Sequence, residues 1–313
     1  MRIGIFTCNY LPLINGLSVS LERSIQHFRS QGHEVFVFAP RYPDSPWSPL
    51  PEDGVYRFPS LRAPTHSRYV LPLPVSAAVR RLLPTLALDV VHAQHPFLLG
   101  PYARSVARRF CLPLVFTYHT LYEKYAHYVP LLPSLGAWVA RRRSVAFANS
   151  ADEVIVPTRG VAVALREWGV TAPLTVIPTG YDPEASSLRP VGLPADRPLL
   201  LSVGRLAPEK NLVFLLTAFR LLHRERPDAL LVIVGDGEER RALEALRDRW
   251  HLTDSVRFVG EVSPPEVASY YAACHLFLFP STSEVQGLVV LEAMAWGLPV
   301  VAVRSLAVED FVE

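Results

Sequence analysis

The stretch RPLLLSVG, residues 197–204, decides how the chain is organised, because it restarts a structural pattern that the preceding residues had already completed. Its short apolar run, ended by a glycine, is typical of a strand buried on both faces of a sheet. Just before it, the residues YDPEASSLRPVGLPAD (181–196) are rich in proline and turn-forming side chains. Such a composition predicts a linker. We therefore predict two domains, at residues 1–185 and 186–313.

Short apolar strands alternate with helical stretches on both sides of this linker. The strands predicted before it span residues 2–7, 34–39, 89–94, 112–119, 152–158 and 174–180. The strands predicted after it span residues 197–204, 229–237, 255–262, 275–281 and 298–303. Alternation of this kind predicts an α/β fold with two doubly wound, Rossmann-like parallel sheets. Two such domains would face each other across a cleft, where the carboxyl ends of the strands bind ligands.

Composition narrows the class of protein. The 313 residues are 50% hydrophobic, with no apolar run long enough to span a membrane. The N-terminus MRIGIFTCNYLP carries no small-residue cleavage site, so we interpret it as a first strand. The three cysteines, Cys8, Cys111 and Cys274, lie far apart and suggest neither disulfides nor a zinc site. We therefore expect a cytoplasmic protein.

The charge is unevenly distributed along the chain. Residues 1–190 hold 19 Lys and Arg against 12 Asp and Glu, which favours an anionic partner for this half. The segment VARRRSVAF (139–147) follows an apolar stretch that contains Trp138. It could form an amphipathic surface for anionic lipid, or an ordinary helix with a solvated arginine face. No nucleic-acid-binding module is recognisable, so we expect no nucleic-acid partner.

The loop GRLAPEKN, residues 204–211, places two cations directly after a predicted strand. Arg205 can form a bidentate contact with oxyanions and Lys210 adds a point charge, next to a helix predicted to begin near Asn211. The pattern fits a diphosphate site, and it fits equally an ordinary helix entry with solvated charges. In VGDG, Gly235 ends another strand; this motif alone is weak, and a simple strand-to-helix turn explains the glycine better than a ligand does.

Two carboxylates stand eight positions apart in SEVQGLVVLEAMAWGLPVVA, residues 283–302. A helix starting near Gly287 would expose the backbone N–H groups of residues 287–289 as a second anion site. Glu284 and Glu292 could then bind hydroxyl groups, because carboxylates accept two hydroxyl hydrogen bonds. The alternative is that Glu292 faces solvent, although the apolar residues around it make that harder to accommodate.

His119 occupies the carboxyl end of a predicted strand, where functional side chains collect. A single histidine is also common as a structural residue. His92, His95 and His127 cluster loosely with it in the sequence, but their spacing matches no metal site.

The motifs GRLAPEKN, VGDGE and EVQGLVVLEAMAWGLPVVA together resemble, in order and spacing, the retaining glycosyltransferases of family 4, which have the GT-B fold. The asparagine–glycine pair at 15–16, the strand end at His119 and IPTGYD (177–182) fit the same family. The resemblance covers essentially the whole chain. A Rossmann dehydrogenase is disfavoured, because no GxGxxG follows the first strand. A nonhydrolysing sugar-nucleotide epimerase shares the fold, but the EKN and paired-glutamate motifs favour a transferase.

The resemblance implies a role for each candidate residue. Catalytic contacts would come from His119, Arg205, Lys210 and Glu284. The nucleotide-sugar donor would be held by Gly16, Gly204, Gly235, Val259, Gly287, Leu288, Val289 and Glu292. Arg205 and Lys210 would bind the diphosphate in place of a metal ion, so no metal or other cofactor is expected. Glu284 would contact the donor sugar and Glu292 the ribose.

Within the family, TYHTLYEKYAHYVP (117–130) and SEVQGLV (283–289) resemble enzymes that glucosylate diacylglycerol, with Gln286 in place of a more usual aromatic residue. This implies UDP-glucose as donor, a lipid acceptor and peripheral association with the inner face of the membrane. The alternatives are transfer to a soluble or polyprenyl-linked acceptor in polysaccharide assembly, or a nucleotide-sugar-binding protein without turnover. Family members usually continue for some tens of residues further, so we expect the second domain to be incomplete at its C-terminus.

Overall fold

The computed structural model describes residues 1–13, 15–42, 54–63, 69–124, 133–181, 192–194 and 196–312. The chain divides into two compact units, Met1–Pro178 and Thr179–Glu313. The domain boundary predicted between residues 185 and 186 lies outside the described residues.

The first unit alternates strands and helices. Within its described residues the strands are β1 (Arg2–Phe6), β2 (Glu34–Pro40), β3 (Val55–Phe58), β4 (Ser60–Arg62), β5 (Val70–Pro72), β6 (Val90–Ala93), β7 (Leu114–Thr117), β8 (Glu153–Val156) and β9 (Leu174–Val176). The helices are α1 (Gly16–Ser30), α2 (Ala77–Leu82), α3 (Leu99–Phe110), α4 (Pro133–Ala148) and α5 (Arg159–Glu167).

Seven strands of this unit form one parallel sheet in the order β3-β2-β1-β6-β7-β8-β9. The order runs outward from β1 in one direction and then resumes beside β1 in the other, so the sheet has a topological switch point between β1 and β6. Ile3 and Ile5 of β1 are buried with Leu21 and Ile25 of α1 in one apolar cluster. The doubly wound sheet expected from the sequence is confirmed.

The structure adds three strands that the sequence patterns did not predict. β3 extends the edge of the sheet beside β2, and β4 pairs with β5 as a separate antiparallel ribbon. These strands are three or four residues long, and β4 has no fully buried position. A segment this short carries no detectable hydrophobic period, which is why sequence reasoning missed it.

The second unit contains the remaining elements. Among its described residues the strands are β10 (Leu199–Val203), β11 (Leu230–Val234), β12 (Val256–Gly260), β13 (Leu276–Phe279) and β14 (Val300–Ala302). The helices are α6 (Leu212–Glu225), α7 (Arg240–Arg249), α8 (Pro264–Ala273) and α9 (Leu288–Ala295). All five strands correspond to those predicted.

These five strands form a parallel sheet in the order β12-β11-β10-β13-β14, with the switch point between β10 and β13. Successive residues of β10 point to opposite faces, so Leu199 and Leu201 join one buried cluster while Leu200 joins another. Both faces of the sheet are therefore covered, as the continuous apolar strands require. Ligands of open α/β sheets bind at the carboxyl ends of the strands beside such a switch point.

Candidate active site

Two loops meet at the switch point of the second sheet. One follows β10 and contains GRLAPEKN, and the other follows β13 and contains the first glutamate of the paired motif. The Asn211 side chain donates a hydrogen bond to the carbonyl of Pro280 at 3.2 Å. The Ser283 hydroxyl donates to the carbonyl of Glu209 at 3.1 Å. Motifs that are about 70 residues apart in sequence therefore form one surface.

Both candidate cations of this surface are paired with carboxylates. Arg205 donates to Glu209, whose side chain is only 3% exposed, and Lys210 donates to Glu284. The Lys210 and Glu284 side chains are each about one-fifth exposed, at 22% and 21%. Partial burial strengthens such pairs, because less water screens the charges. Glu209 was not singled out by the sequence analysis, although its position four residues after Arg205 is a usual spacing for an ion pair.

The glycines after β10 and β11 allow the two strand ends to approach each other. A side-chain carbon placed on Gly235 would lie 2.0 Å from the carbonyl oxygen of Gly204. The Gly204 N–H donates to Val234 at 3.0 Å, and the Gly235 N–H donates to Gly260 at 2.8 Å. Close backbone packing therefore accounts for Gly235. It also places Gly204, Gly235 and the neighbourhood of Val259 at one edge of the sheet.

The helix predicted near Gly287 begins at Leu288. Gly287 adopts φ of 66°, a left-handed conformation suited to glycine, and a side-chain carbon here would lie 3.1 Å from the Phe279 ring. No side chain caps the first turn of α9. Since the first N–H groups of a helix have no partner within the helix, Leu288 and Val289 retain the donors that an anion would use.

Glu292 does not simply face solvent. It is half-buried on α9, and its carboxylate accepts a hydrogen bond of 2.8 Å from the hydroxyl of Tyr271 on α8. Burial and the adjacent Glu292 charge raise the pKa of Tyr271 well above its usual value, so the hydroxyl remains a donor. Tyr271 could not be predicted from the sequence, because its contact with Glu292 joins two helices and no sequence spacing relates the two residues.

Gln286, in the loop before α9, is hydrogen-bonded to Thr179, the first residue of the second unit. Its side chain is 4% exposed and accepts a hydrogen bond from the Thr179 N–H while donating one to the Thr179 carbonyl, both at 3.0 Å. The amide therefore pairs with both backbone polar groups of one residue, which a phenylalanine at this position could not do.

The remaining two candidates, Gly16 and His119, belong to the first unit. Gly16 is the first residue of α1, and the preceding Asn15 side chain accepts from the Ser18 N–H at 2.9 Å, which explains where the helix begins. His119 follows β7, and its Nε2 atom lies 2.6 Å from Oε1 of Gln94. Gln94 follows β6 directly and was not singled out by the sequence analysis.

Three histidines collect at the carboxyl edge of the first sheet. His92 Nε2 lies 2.7 Å from the Thr117 hydroxyl, and His95 Nδ1 accepts from the Cys8 N–H at 3.2 Å. Burial lowers the pKa of His92 and His95 to about 4, and that of His119 to about 3. His127 lies outside the described residues. Among the residues that the structure describes, no group of three or more His, Cys, Asp or Glu side chains is placed to bind a metal ion.

Each of the two units corresponds approximately to one match with a known protein family. The family described as "Glycosyltransferase Family 4" matches residues 14–185, and that described as "Glycosyl transferases group 1" matches residues 185–313.

Relatives at similar identity match the chain over most of its length. An alpha-monoglucosyldiacylglycerol synthase of Streptococcus pneumoniae is 33% identical over 96% of this chain and 71% of the relative. The enzyme of the same name from Acholeplasma laidlawii is 31% identical over 100% of this chain and 83% of the relative. A GDP-mannose-dependent alpha-mannosyltransferase of Mycolicibacterium smegmatis is 34% identical over 100% of this chain and 82% of the relative.

Solved structures share the fold at lower identity. Sucrose-phosphate synthase from Thermosynechococcus elongatus superposes with a TM-score of 0.76 at 23% identity, covering 96% of this chain and 80% of that one. The Anabaena protein HepE in complex with UDP gives a TM-score of 0.73 at 22% identity, covering 100% and 83%. Both confirm the GT-B fold class. The chain therefore belongs to glycosyltransferase family 4, and it is a hexosyltransferase.

Proposed function

We propose that this enzyme is a retaining glucosyltransferase that moves glucose from UDP-glucose to the free hydroxyl of diacylglycerol in glycolipid synthesis. The observation that carries the choice of donor and acceptor is the similarity, along nearly the whole chain, to two relatives named as alpha-monoglucosyldiacylglycerol synthases. The segment SEVQGLV (283–289), whose Gln286 amide pairs with the backbone of Thr179, also resembles the enzymes that glucosylate diacylglycerol.

The donor's charged and polar groups match the side chains at the second switch point. In our proposal Arg205 and Lys210 bind the diphosphate and stabilise the leaving group without a metal ion. Glu284 accepts hydrogen bonds from the sugar and Glu292 from the ribose. Each of the four side chains already has a partner of opposite charge or a hydrogen-bond donor, so none of them is a buried group without a partner.

The glycines and helix ends complete this donor site. The backbone at Gly204, Gly235 and Val259 would lie beside the nucleotide, and the N–H groups of residues 287–289 would face phosphate. For Gly16, at the start of α1, and for His119, donor contacts stay predictions from the family resemblance. The donor phosphate would take the proton of the attacking hydroxyl, and the new bond would keep the anomeric configuration of the donor.

A surface of α4 suits an acceptor that resides in a membrane. Leu135, Trp138 and Val139 are 50%, 51% and 36% exposed, and their spacing places them on one face of the helix. The Arg142 guanidinium lies 5.2 Å from the centre of the Trp138 ring. An exposed aromatic and aliphatic face beside arginines favours the interface of an anionic bilayer. In the described part of the chain, no helix has both the length and the apolar character needed to cross a membrane.

A second candidate is mannosyl transfer from GDP-mannose. It is favoured by the mannosyltransferase relative, which is 34% identical over the full chain. The diphosphate and sugar-binding groups would serve both donors, so these residues do not distinguish them. Soluble or polyprenyl-linked acceptors remain the alternatives on the acceptor side.

The test is a panel of two donors and three acceptor conditions with the purified chain. UDP-glucose and GDP-mannose are each supplied with diacylglycerol in anionic vesicles, with the same vesicles lacking diacylglycerol, or with a soluble oligosaccharide. The proposal predicts release of UDP that depends on diacylglycerol, with glucose recovered in the lipid phase. Transfer from GDP-mannose alone, or to the soluble acceptor alone, would overturn it. The Glu284→Gln variant controls for a contaminating activity.

A further inference from the structure

Gln94 is the buried neighbour of His119 and is not one of the candidate donor-binding residues. Gln94 is 1% exposed, and its side-chain oxygen lies 2.6 Å from His119 Nε2. An amide oxygen can only accept a hydrogen bond, so His119 Nε2 must carry the proton in this arrangement. The Nε2 atom of Gln94 is buried without a hydrogen-bond partner. The fold therefore retains an unsatisfied donor on this amide while its oxygen fixes the histidine.

The consequence concerns the other nitrogen of His119. In a neutral imidazole with hydrogen on Nε2, Nδ1 carries a lone pair and accepts hydrogen bonds. Among the residues that the structure describes, none donates a hydrogen bond to Nδ1, and the His119 residue is half-buried rather than enclosed. The ring therefore has its Nε2 fixed by Gln94, while its Nδ1 has no hydrogen-bond donor among the described residues.

We propose that Gln94 is a positioning residue that fixes His119 as the neutral Nε2–H tautomer, so that Nδ1 accepts a hydrogen bond from an alcohol hydroxyl of the bound substrate. This inference rests on the proposed function for the presence of a hydroxylated substrate, but the tautomer itself does not depend on it. It assigns His119 the role of a neutral acceptor, distinct from that of a general acid or base.

The electrostatic surroundings agree with a neutral ring. Within the described chain, the titratable groups that act on His119 are His92 on β6 and His95 in the loop after it, and both disfavour a positive charge. Burial is the larger cause, and together they lower the pKa of His119 to about 3. A group that titrates so far below neutral pH is poorly matched to proton transfer, whereas a hydrogen-bond acceptor needs no titration.

The first measurement is the tautomer of His119 in the 313-residue chain, by long-range ¹H–¹⁵N NMR of histidine-labelled protein. The signal is assigned by its loss in the His119→Asn variant. We expect a protonated Nε2 and an unprotonated Nδ1 throughout pH 5–8. Protonation of Nδ1 in the wild-type chain would overturn the proposal, whether or not glucose transfer is detected.

The second measurement is the pH profile of transfer in two Gln94 variants. Gln94→Glu places a carboxylate against Nε2 and stabilises the imidazolium, so Nδ1 gains a proton as the pH falls. We expect its kcat/KM to fall at least tenfold from pH 8 to pH 6 relative to wild type. Gln94→Leu should lower kcat/KM about tenfold or more at every pH without a new titration. Comparing KM for donor and acceptor shows which substrate supplies the hydroxyl.

Thr117→Val is the matched control, because Thr117 is the polar partner of another histidine of this edge, His92 on the neighbouring strand. It should shift the melting temperature but leave a pH profile parallel to that of wild type. A Gln94→Glu profile that also runs parallel to wild type would overturn the proposal. If Gln94→Glu fails to fold, the wild-type tautomer and the Gln94→Leu kinetics still decide it.

Discussion

Replacing Lys210 by Met tests the charge at the centre of the proposed donor site. The change removes the ammonium group that pairs with Glu284 but keeps a side chain of similar length. Two opposite unit charges about 4 Å apart interact by about 4 kcal/mol at an effective dielectric constant near 20, a value suited to partly exposed pairs. Lys210 is 22% exposed, which places it in this regime.

The loss of transition-state stabilisation that we expect in Lys210→Met is of similar size. Removing one preorganised group that stabilises developing charge typically costs about 3–4 kcal/mol of transition-state stabilisation. We therefore expect Lys210→Met to lower kcat/KM for nucleotide-sugar-dependent transfer by about 100- to 1,000-fold. The effect should appear mainly in kcat, because the leaving diphosphate is more negative in the transition state than in the bound donor.

The assay measures initial rates of UDP release with saturating diacylglycerol vesicles. Arg226→Met is the matched control, because Arg226 forms an ion pair of 3.0 Å with Asp228 on the exposed surface of the same unit. It should retain wild-type kinetics, since exposed pairs contribute little. A Lys210→Met enzyme that is folded and within tenfold of wild-type kcat/KM would refute the assignment of Lys210 to the diphosphate.

The remaining predictions concern the second glutamate, acid stability and membrane binding. Tyr271→Phe removes the hydroxyl that orients Glu292 and should raise KM for the donor about tenfold with little change in kcat; an unchanged KM would contradict that role. Because folding lowers the pKa of His92 and His95 from 6.5 to about 4, the unfolded chain binds more protons below pH 6.5. The melting temperature should therefore be independent of these groups above pH 6.5 and fall toward pH 4. The fall should be shallower in His92→Gln, and an equally steep fall would contradict the cause. The double variant Leu135→Ser and Trp138→Ser should reduce sedimentation with anionic vesicles at least fivefold while UDP binding stays unchanged; undiminished vesicle binding would exclude this face of α4.

Sequence periodicity was sufficient to predict the two main sheets, because their long central strands are apolar on both faces. The run LLLSV in β10 has buried neighbours on each side of the sheet, and no helix or exposed strand needs such a run. The β4–β5 ribbon could not be predicted in the same way. Leu61 and Leu71 face each other across this ribbon and are 59% and 42% exposed, so their apolar side chains do not indicate a buried core.

In the candidate site, too, some features could be predicted from the sequence and others could not. Lys210 and Glu284 could be named from motifs, because each stands at a fixed place after a recognisable strand. Their direct pairing could not be foreseen, since it joins residues 74 positions apart through the register of β10 beside β13. The partners Gln94 and Tyr271 could not be predicted either. A polar side chain that is buried for the sake of one hydrogen bond shows no pattern in the sequence, because its partner lies elsewhere in the chain.

The central claim is tested most directly by the anomeric configuration and location of the transferred sugar. The chain is incubated with UDP-glucose labelled with ¹³C at the anomeric carbon and with diacylglycerol in anionic vesicles, and the lipid extract is examined by NMR. We expect a labelled α-glucosyl diacylglycerol in the lipid phase. A β-linked product would contradict retention, and labelled sugar that never enters the lipid phase would contradict the proposed acceptor.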